Sequence, residues 1–194
     1  MNMLSVEVDW SGLVRVADEL GATDKQVKFA LSRALRRTEA TLRRMSSKGL
    51  QKELQLRAAS ALRKRLKSIR MSKTGGLSAG NDVTLWYGLN DLPVSAFKGR
   101  AVQDHAHGAS FLRPGAANHF GPDSFVAKSR VKGRRSVFKR KGEDRLPIVE
   151  QMIPIEDKAI VFIEDEIFSE VETIFWQHFR RDLAARVRFQ LGER

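Results

Sequence analysis

The hydrophobic period of this chain changes twice along its length, and that limits the possible folds more than any other feature. In residues 23–48, apolar Val27, Leu31, Ala34, Leu35, Leu42 and Met45 recur at helical spacing, which predicts one long amphipathic helix. Thr23 with Gln26 three residues later is a capping-box signature that fixes its start. Residues 10–20 read as a shorter preceding helix closed by Gly21. Residues 3–9 alternate like a short strand, with Leu4, Val6 and Val8 on one face. Gly49 is expected to interrupt the long helix. Residues 50–67 then form a second helical stretch, breaking near Arg57 and ending in basic Arg63, Lys64, Arg65 and Lys67. The Gly/Ser-rich joint at 72–81 marks the first change, and the period beyond it drops to two. Strands are predicted at 83–88, 124–128 and 135–139, with a turn at 141–144. A strand at 146–155 carries Pro147 and Pro154, which favour a sheet edge or a strand end. Residues 91–122 hold several Gly and Pro with little periodicity and read as an extended loop. The helical period returns at 157–190, where Ile160, Ile163, Ile167, Val171, Ile174, Phe175 and His178 share one side of a long closing helix. The expectation is an α+β fold. A small antiparallel sheet is flanked by long N- and C-terminal helices, with one extended loop. The 194 residues make a single domain: helical at 10–70, β-rich at 81–155, and closed by the helix at 157–190.

Charge is the second constraint. The formal net charge is +12, which predicts attraction to polyanions or an acidic partner. Sixteen Lys or Arg face two acids, Glu39 and Glu53, in residues 25–73. Nine bases face two acids in 128–145, whereas 156–172 hold seven acids and only Lys158. The chain is electrostatically bipolar. It has no Cys, which removes disulfides and thiolate metal sites and suits a reducing cytoplasm. The N-terminus lacks a signal-peptide profile. No run approaches the roughly 18 apolar residues of a membrane helix. The chain is therefore expected to be soluble, made in a cytoplasm, and without membrane contact.

Catalytic groups do not assemble. His105 and His107 flank Ala106 beside Asp104, and His119 follows, but without Cys or a helical His pair these read as ordinary loop histidines. His178 falls on an apolar helix face. Glu164, Asp165, Glu166, Glu170 and Glu172 complement the positive end of a helix dipole if they lie in its first turns. Gly75 and Gly76 lack the Lys-Ser/Thr of a phosphate loop. Ser110 and Ser136 lack nucleophile-elbow glycines. No enzyme activity, cofactor or metal is expected. Arg36, Arg37, Arg43, Arg44, Arg63, Lys64, Arg65 and Lys67 could follow a phosphate backbone. Phe29, the one aromatic of that region, is expected on the apolar face, so stacking on single strands has no support. No named DNA-reading motif is present. A sequence-independent nucleic-acid binder is thus the alternative reading.

Two segments together carry a resemblance. One is Ala34-Leu35-Arg36-Arg37-Thr38-Glu39-Ala40-Thr41-Leu42-Arg43-Arg44 with Leu62-Arg63-Lys64-Arg65-Leu66-Lys67. The other is Val137-Phe138-Lys139-Arg140-Lys141-Gly142-Glu143-Asp144-Arg145-Leu146-Pro147-Ile148, running into the long final helix. This arrangement resembles the minor tail protein Z family of long-tailed phages and prophages, over most of the chain. The second segment is also similar to the wider group of phage head–tail joining and tail-completion proteins, in which a hairpin with a basic turn precedes a closing helix. Many of that group carry Gly-Pro-Ser after this strand; here Ile153-Pro154-Ile155-Glu156 stands instead, so less carries over from the wider group than from protein Z. The resemblance implies a virion protein, made in the bacterial host, that finishes the head-proximal end of the tail so that head and tail join and DNA is positioned. Neighbouring tail and head-connector proteins are its implied partners, and packaged duplex DNA is a further candidate. Opposite charges on one subunit suit head-to-tail contacts that close into a ring, six-fold like the tail. The acids Glu164, Asp165, Glu166, Glu170 and Glu172 are expected to meet a neighbour's basic patch. Phe97, Phe111, Leu112 and Phe120, in the 91–122 stretch, either contact virion neighbours or fold back on the subunit's own core.

Overall fold

The computed structural model describes residues 2–6, 10–70, 83–104, 106–129 and 133–191. The 72–81 joint, residues 7–9, His105 and Lys73 lie outside the described residues. So do the side chains of the first strand, and with them the face expected for Leu4, Val6 and Val8. The fold is α+β, with long helices towards both ends of the sequence and short antiparallel sheets. The chain divides into two compact units.

The first unit joins Met1–Ser47, Lys64–Gly88 and Ile163–Arg194. Its strands β1 (Asn2–Val6), β2 (Leu66–Arg70) and β3 (Val83–Tyr87) form an antiparallel sheet in the order β1-β3-β2. Helix α1 (Trp10–Leu20) ends where expected, because Gly21 takes a φ of +63° that L side chains resist. Helix α2 (Asp24–Glu53) opens with the capping box: the Thr23 backbone N–H donates to Gln26 Oε1 at 3.0 Å, and the Gln26 N–H to Thr23 Oγ1 at 3.4 Å. Leu13, Val16 and Ala17 of α1 pack with Val27, Ala30, Leu31, Ala34 and Leu35 of α2 and with Phe175, Phe179 and Leu183 near the C-terminus. Their helical spacing makes three apolar stripes that can be buried only against one another, each large side chain contributing about 1.5–3 kcal/mol. The Phe175 and Phe179 rings of this cluster stack with centroids 6.0 Å apart. Inside this unit Ser46 Oγ donates to the Leu42 carbonyl at 2.8 Å and lies 2.9 Å from Tyr87 Oη. Burial raises the Tyr87 pKa, with the Ser46 bond acting in the opposite direction.

The second unit joins Lys48–Arg63 and Leu89–Phe162. It holds the end of α2, a short 3-10 helix (Ala59–Leu62), and strands β4 (Leu92–Pro93), β5 (Arg100–Asp104), β6 (Gly108–Arg113), β7 (Ala116–His119), β8 (Ser124–Lys128), β9 (Arg135–Arg140), β10 (Ile148–Glu150) and β11 (Met152–Ile153). Helix α3 (Glu156–Phe162) completes it. The sheets are β5-β6-β7, β10-β9-β8 and the pair β11-β4. The first two pack on each other around Phe111, Ala109 and Val137. Gln103 of β5 ties them together: its Oε1 accepts the Val126 N–H of β8 at 2.8 Å. Glu150 Oε1 accepts the Ser95 N–H at 2.9 Å and the Ser136 hydroxyl at 2.5 Å, joining three segments of this unit. The strand expected at 146–155 is split into β10 and β11, in two different sheets, and Pro147 and Pro154 fall just outside their ends.

Several expectations need correction. Gly49 does not interrupt α2, which continues to Glu53. The glycine is there for closeness, since a Cβ at Gly49 would overlap the Phe162 ring. Residues 50–67 are not a second helix: beyond Glu53 the chain turns, makes one 3-10 turn, and enters β2 at Leu66. The 91–122 stretch is not a loop but holds β4 to β7. Instead of one small sheet there are four among the described residues. The closing helix is not continuous. A π-helical segment, Ile163–Phe168, follows α3 and precedes α4 (Val171–Arg188).

The π segment has a sequence cause. Ile163, Ile167, Val171, Phe175, Phe179 and Leu183 are all buried and recur every fourth residue. An α-helix drifts by about 40° with each step of four, so a strict four-residue stripe would wind off the core. The wider i→i+5 turn absorbs part of that drift.

Candidate interaction surfaces

The basic residues expected to face a partner fall into distinct surroundings. Arg36, Arg43 and Arg44 are exposed on α2. Arg36 and Arg43, seven residues apart, lie on one line along the helix. Among the described residues none of the three makes an ion pair. Arg37 behaves differently, because its Nη1 lies 4.0 Å from Asp182 Oδ1 on α4. Asp182 is buried and gathers Arg33 Nε at 3.4 Å and Arg186 Nε at 2.7 Å, as a carboxylate taken from water requires. The Arg186 side chain is only 15% exposed and makes the firm bond; Arg33 and Arg37, about half exposed, add a screened attraction. Arg37 is therefore turned towards its own unit.

Beside this cluster, His178 Nε2 lies 3.3 Å from Thr41 Oγ1. Burial, and then the Arg37 and Arg181 guanidiniums, hold the His178 pKa below the usual imidazole value. Phe29 departs from expectation. It is 48% exposed, with the Arg186 guanidinium 5.3 Å from its ring centroid. The apolar stripe of α2 narrows around Ala30 and Ala34, and Phe29 falls outside it.

Arg63 and Lys64 are exposed in the turn after the 3-10 helix rather than at a helix end. Arg65 is half-buried, and its carbonyl accepts the Gly88 N–H at 2.8 Å. Lys67 lies 5.5 Å over the Trp86 ring. These two face each other across the β2–β3 register, so the cation–π contact follows from strand pairing.

The acids are outward. Glu164, Asp165, Glu166, Glu170 and Glu172 are all exposed. Glu172 accepts the Trp176 indole N–H at 3.4 Å, and none of the five pairs with a cation among the described residues. Glu170 and Glu172 stand at the start of α4, where the dipole account applies. Glu164, Asp165 and Glu166 do not fit it: they sit in the π segment, beyond the whole of α3.

The apolar residues of 91–122 fold inward. Phe97 and Phe111 are 0% and 1% exposed, and Leu112 and Phe120 are half-buried. The histidines are held by local geometry. His107 Nδ1 lies 2.8 Å from Asp104 Oδ2. The Ala106 N–H, and then His107, hold the Asp104 carboxyl below its usual pKa. Ser110 Oγ and His119 Nδ1 are 2.8 Å apart because they are direct partners in the β6–β7 register. No third group orients that histidine among the described residues. Among the described residues, no three His, Asp or Glu side chains converge as metal ligands would, and no helix is long and apolar enough to cross a membrane. Compared with protein-family models, curated proteins and solved structures, the chain matches none of them.

Proposed function

We propose that this chain is a structural subunit of a phage tail, of the minor tail protein Z kind, acting at the head-proximal end in tail completion and head–tail joining. One observation carries the reading: Glu164, Asp165 and Glu166, and likewise Arg36, Arg43 and Arg44, are exposed and make no ion pair among the described residues. Surface charge with no internal counterpart is free to select a partner and set its register. A subunit carrying both signs satisfies itself by packing head-to-tail with copies of itself, and such contacts close into rings. The ring we propose is six-fold, with tail and head-connector proteins as neighbours and duplex DNA through its centre. Its role is mechanical and needs no catalytic group, cofactor or metal. Mass spectrometry and labelling of purified virions test it. The chain should be found in mature tails at their head-proximal end; its absence from virions would overturn the proposal.

A second reading keeps one specific support. Arg36 and Arg43, exposed on one line of α2, suit sequence-independent contact with a nucleic-acid backbone. It predicts a monomer whose duplex affinity falls steeply with salt, whereas the tail subunit forms discrete oligomers with or without DNA.

A further inference from the structure

Within the second unit, a half-open cavity of about 400 Å³ is lined by Lys48, Gln51, Lys52, Gln55, Lys98 and Pro114. Three lysines and two glutamines line it, with no acid among them. Its floor is held rigidly. The Lys98 N–H donates to the Gln55 carbonyl at 2.7 Å, and the Arg57 N–H to the Ala96 carbonyl at 2.9 Å. Gln55 Nε2 donates to the Pro114 carbonyl at 3.0 Å, and Arg57 Nη2 to that of Gly99 at 2.7 Å. Gln55 itself has a φ of +55°, which a non-glycine residue adopts only when its surroundings impose it.

Lysines near a helix C-terminus often serve only to complement its partial negative charge. Here that role is largely taken. The last carbonyls of α2 accept backbone N–H groups: Leu50 from Leu54 at 3.0 Å, Gln51 from Leu56 at 2.8 Å, and Lys52 from Gln55 at 3.1 Å. Lys48 and Lys52 line the concave space beside the helix end, together with Lys98.

We infer that this cavity binds a phosphate group. Two considerations choose phosphate over carboxylate. Three lysines around one cavity suit a multiply charged oxyanion better than a singly charged one. The cations are also all lysines, and a lysine ammonium is a recurrent point-charge binder of phosphate. Gln51 supplies a further donor to phosphate oxygens. The phosphate can belong to a nucleic-acid backbone or to a small phosphorylated ligand, and the site's chemistry is the same for both.

Calorimetric titration of the full chain with pyrophosphate tests this, beside the variant Lys48→Gln/Lys52→Gln/Lys98→Gln. All three lysines are exposed, so the variant should keep the wild-type melting curve. Pyrophosphate should bind the wild type and bind the variant about tenfold or more weakly. A parallel titration with short duplex DNA identifies the source. Duplex binding weakened by the same substitutions assigns the site to the nucleic-acid backbone, and unchanged duplex behaviour assigns it to a small phosphorylated ligand. Succinate binding as tightly as pyrophosphate, equal pyrophosphate affinity in both proteins, or no binding to the wild type would each overturn the inference.

Discussion

Single side chains account for much of what holds the first unit together, and three of them give direct tests. Tyr87 is 2% exposed and its hydroxyl meets Ser46, but Ser46 keeps its bond to the Leu42 carbonyl if that hydroxyl is removed. Tyr87→Phe should therefore cost only about 1 kcal/mol in urea unfolding. A loss several times larger would mean that the hydroxyl does more than this one bond. Thr23→Ala removes half of the capping box and should cost about 1 kcal/mol. His178 makes stability depend on pH. Its surroundings favour the neutral ring, so below the ordinary value of 6.5 the folded chain holds fewer protons than the unfolded one. That contribution is complete above 6.5 and is lost as the pH falls towards the lowered folded-state value. His178→Gln should flatten the fall in Tm on mild acidification, and an unchanged slope would contradict the assignment. Asp104 shifts in the same sense but from 3.8, in a more acidic window.

At the scale of elements, Gly49 and the π segment show what the residue pattern does and does not disclose. A glycine inside a helix usually costs about 1 kcal/mol relative to Ala, so Gly49→Ala would stabilise α2 if only propensity mattered. The Phe162 ring occupies the space a methyl needs. The substitution should therefore destabilise, and should become stabilising in a Phe162→Ala background; additive effects would refute the packing role. Phe97, fully buried, should cost about 3–5 kcal/mol on change to Ala, whereas a residue of a loose loop would cost little. Periodicity was enough to locate α1, the cap of α2, β3, β8 and β9, because each has a strong apolar pattern or a definite stop signal. The strands β5 and β7 were not legible. Arg100–Asp104 and Ala116–His119 are short and mostly exposed, so neither face carries an apolar alternation, and their pairing depends on β6 between them. The π segment did have a legible cause in the strict four-residue spacing of Ile163, Ile167 and Val171. Of the interaction residues, charge patterning located the exposed acids and Arg36, Arg43 and Arg44. It could not show that Arg37 turns to Asp182, which lies far along the sequence. Nor could it find the lysine cavity, whose members come together only through the turn after α2.

For the whole molecule, we propose that exposed charges of opposite sign, unpaired among the described residues, let copies recognise each other. Salt should weaken such contacts, since exposed pairs are screened over about 10 Å at 0.1 M. The most direct measurement is sedimentation of the purified chain, of Glu164→Lys/Asp165→Lys/Glu166→Lys, and of that variant mixed with Arg36→Glu/Arg43→Glu/Arg44→Glu. The wild type should sediment as a discrete oligomer that dissociates as salt rises. Either variant alone should stay at the 21.9 kDa of one chain, and the mixture should recover assembly between opposite partners. A wild type that remains a single chain at low salt, or oligomers indifferent to both reversals, would contradict the claim.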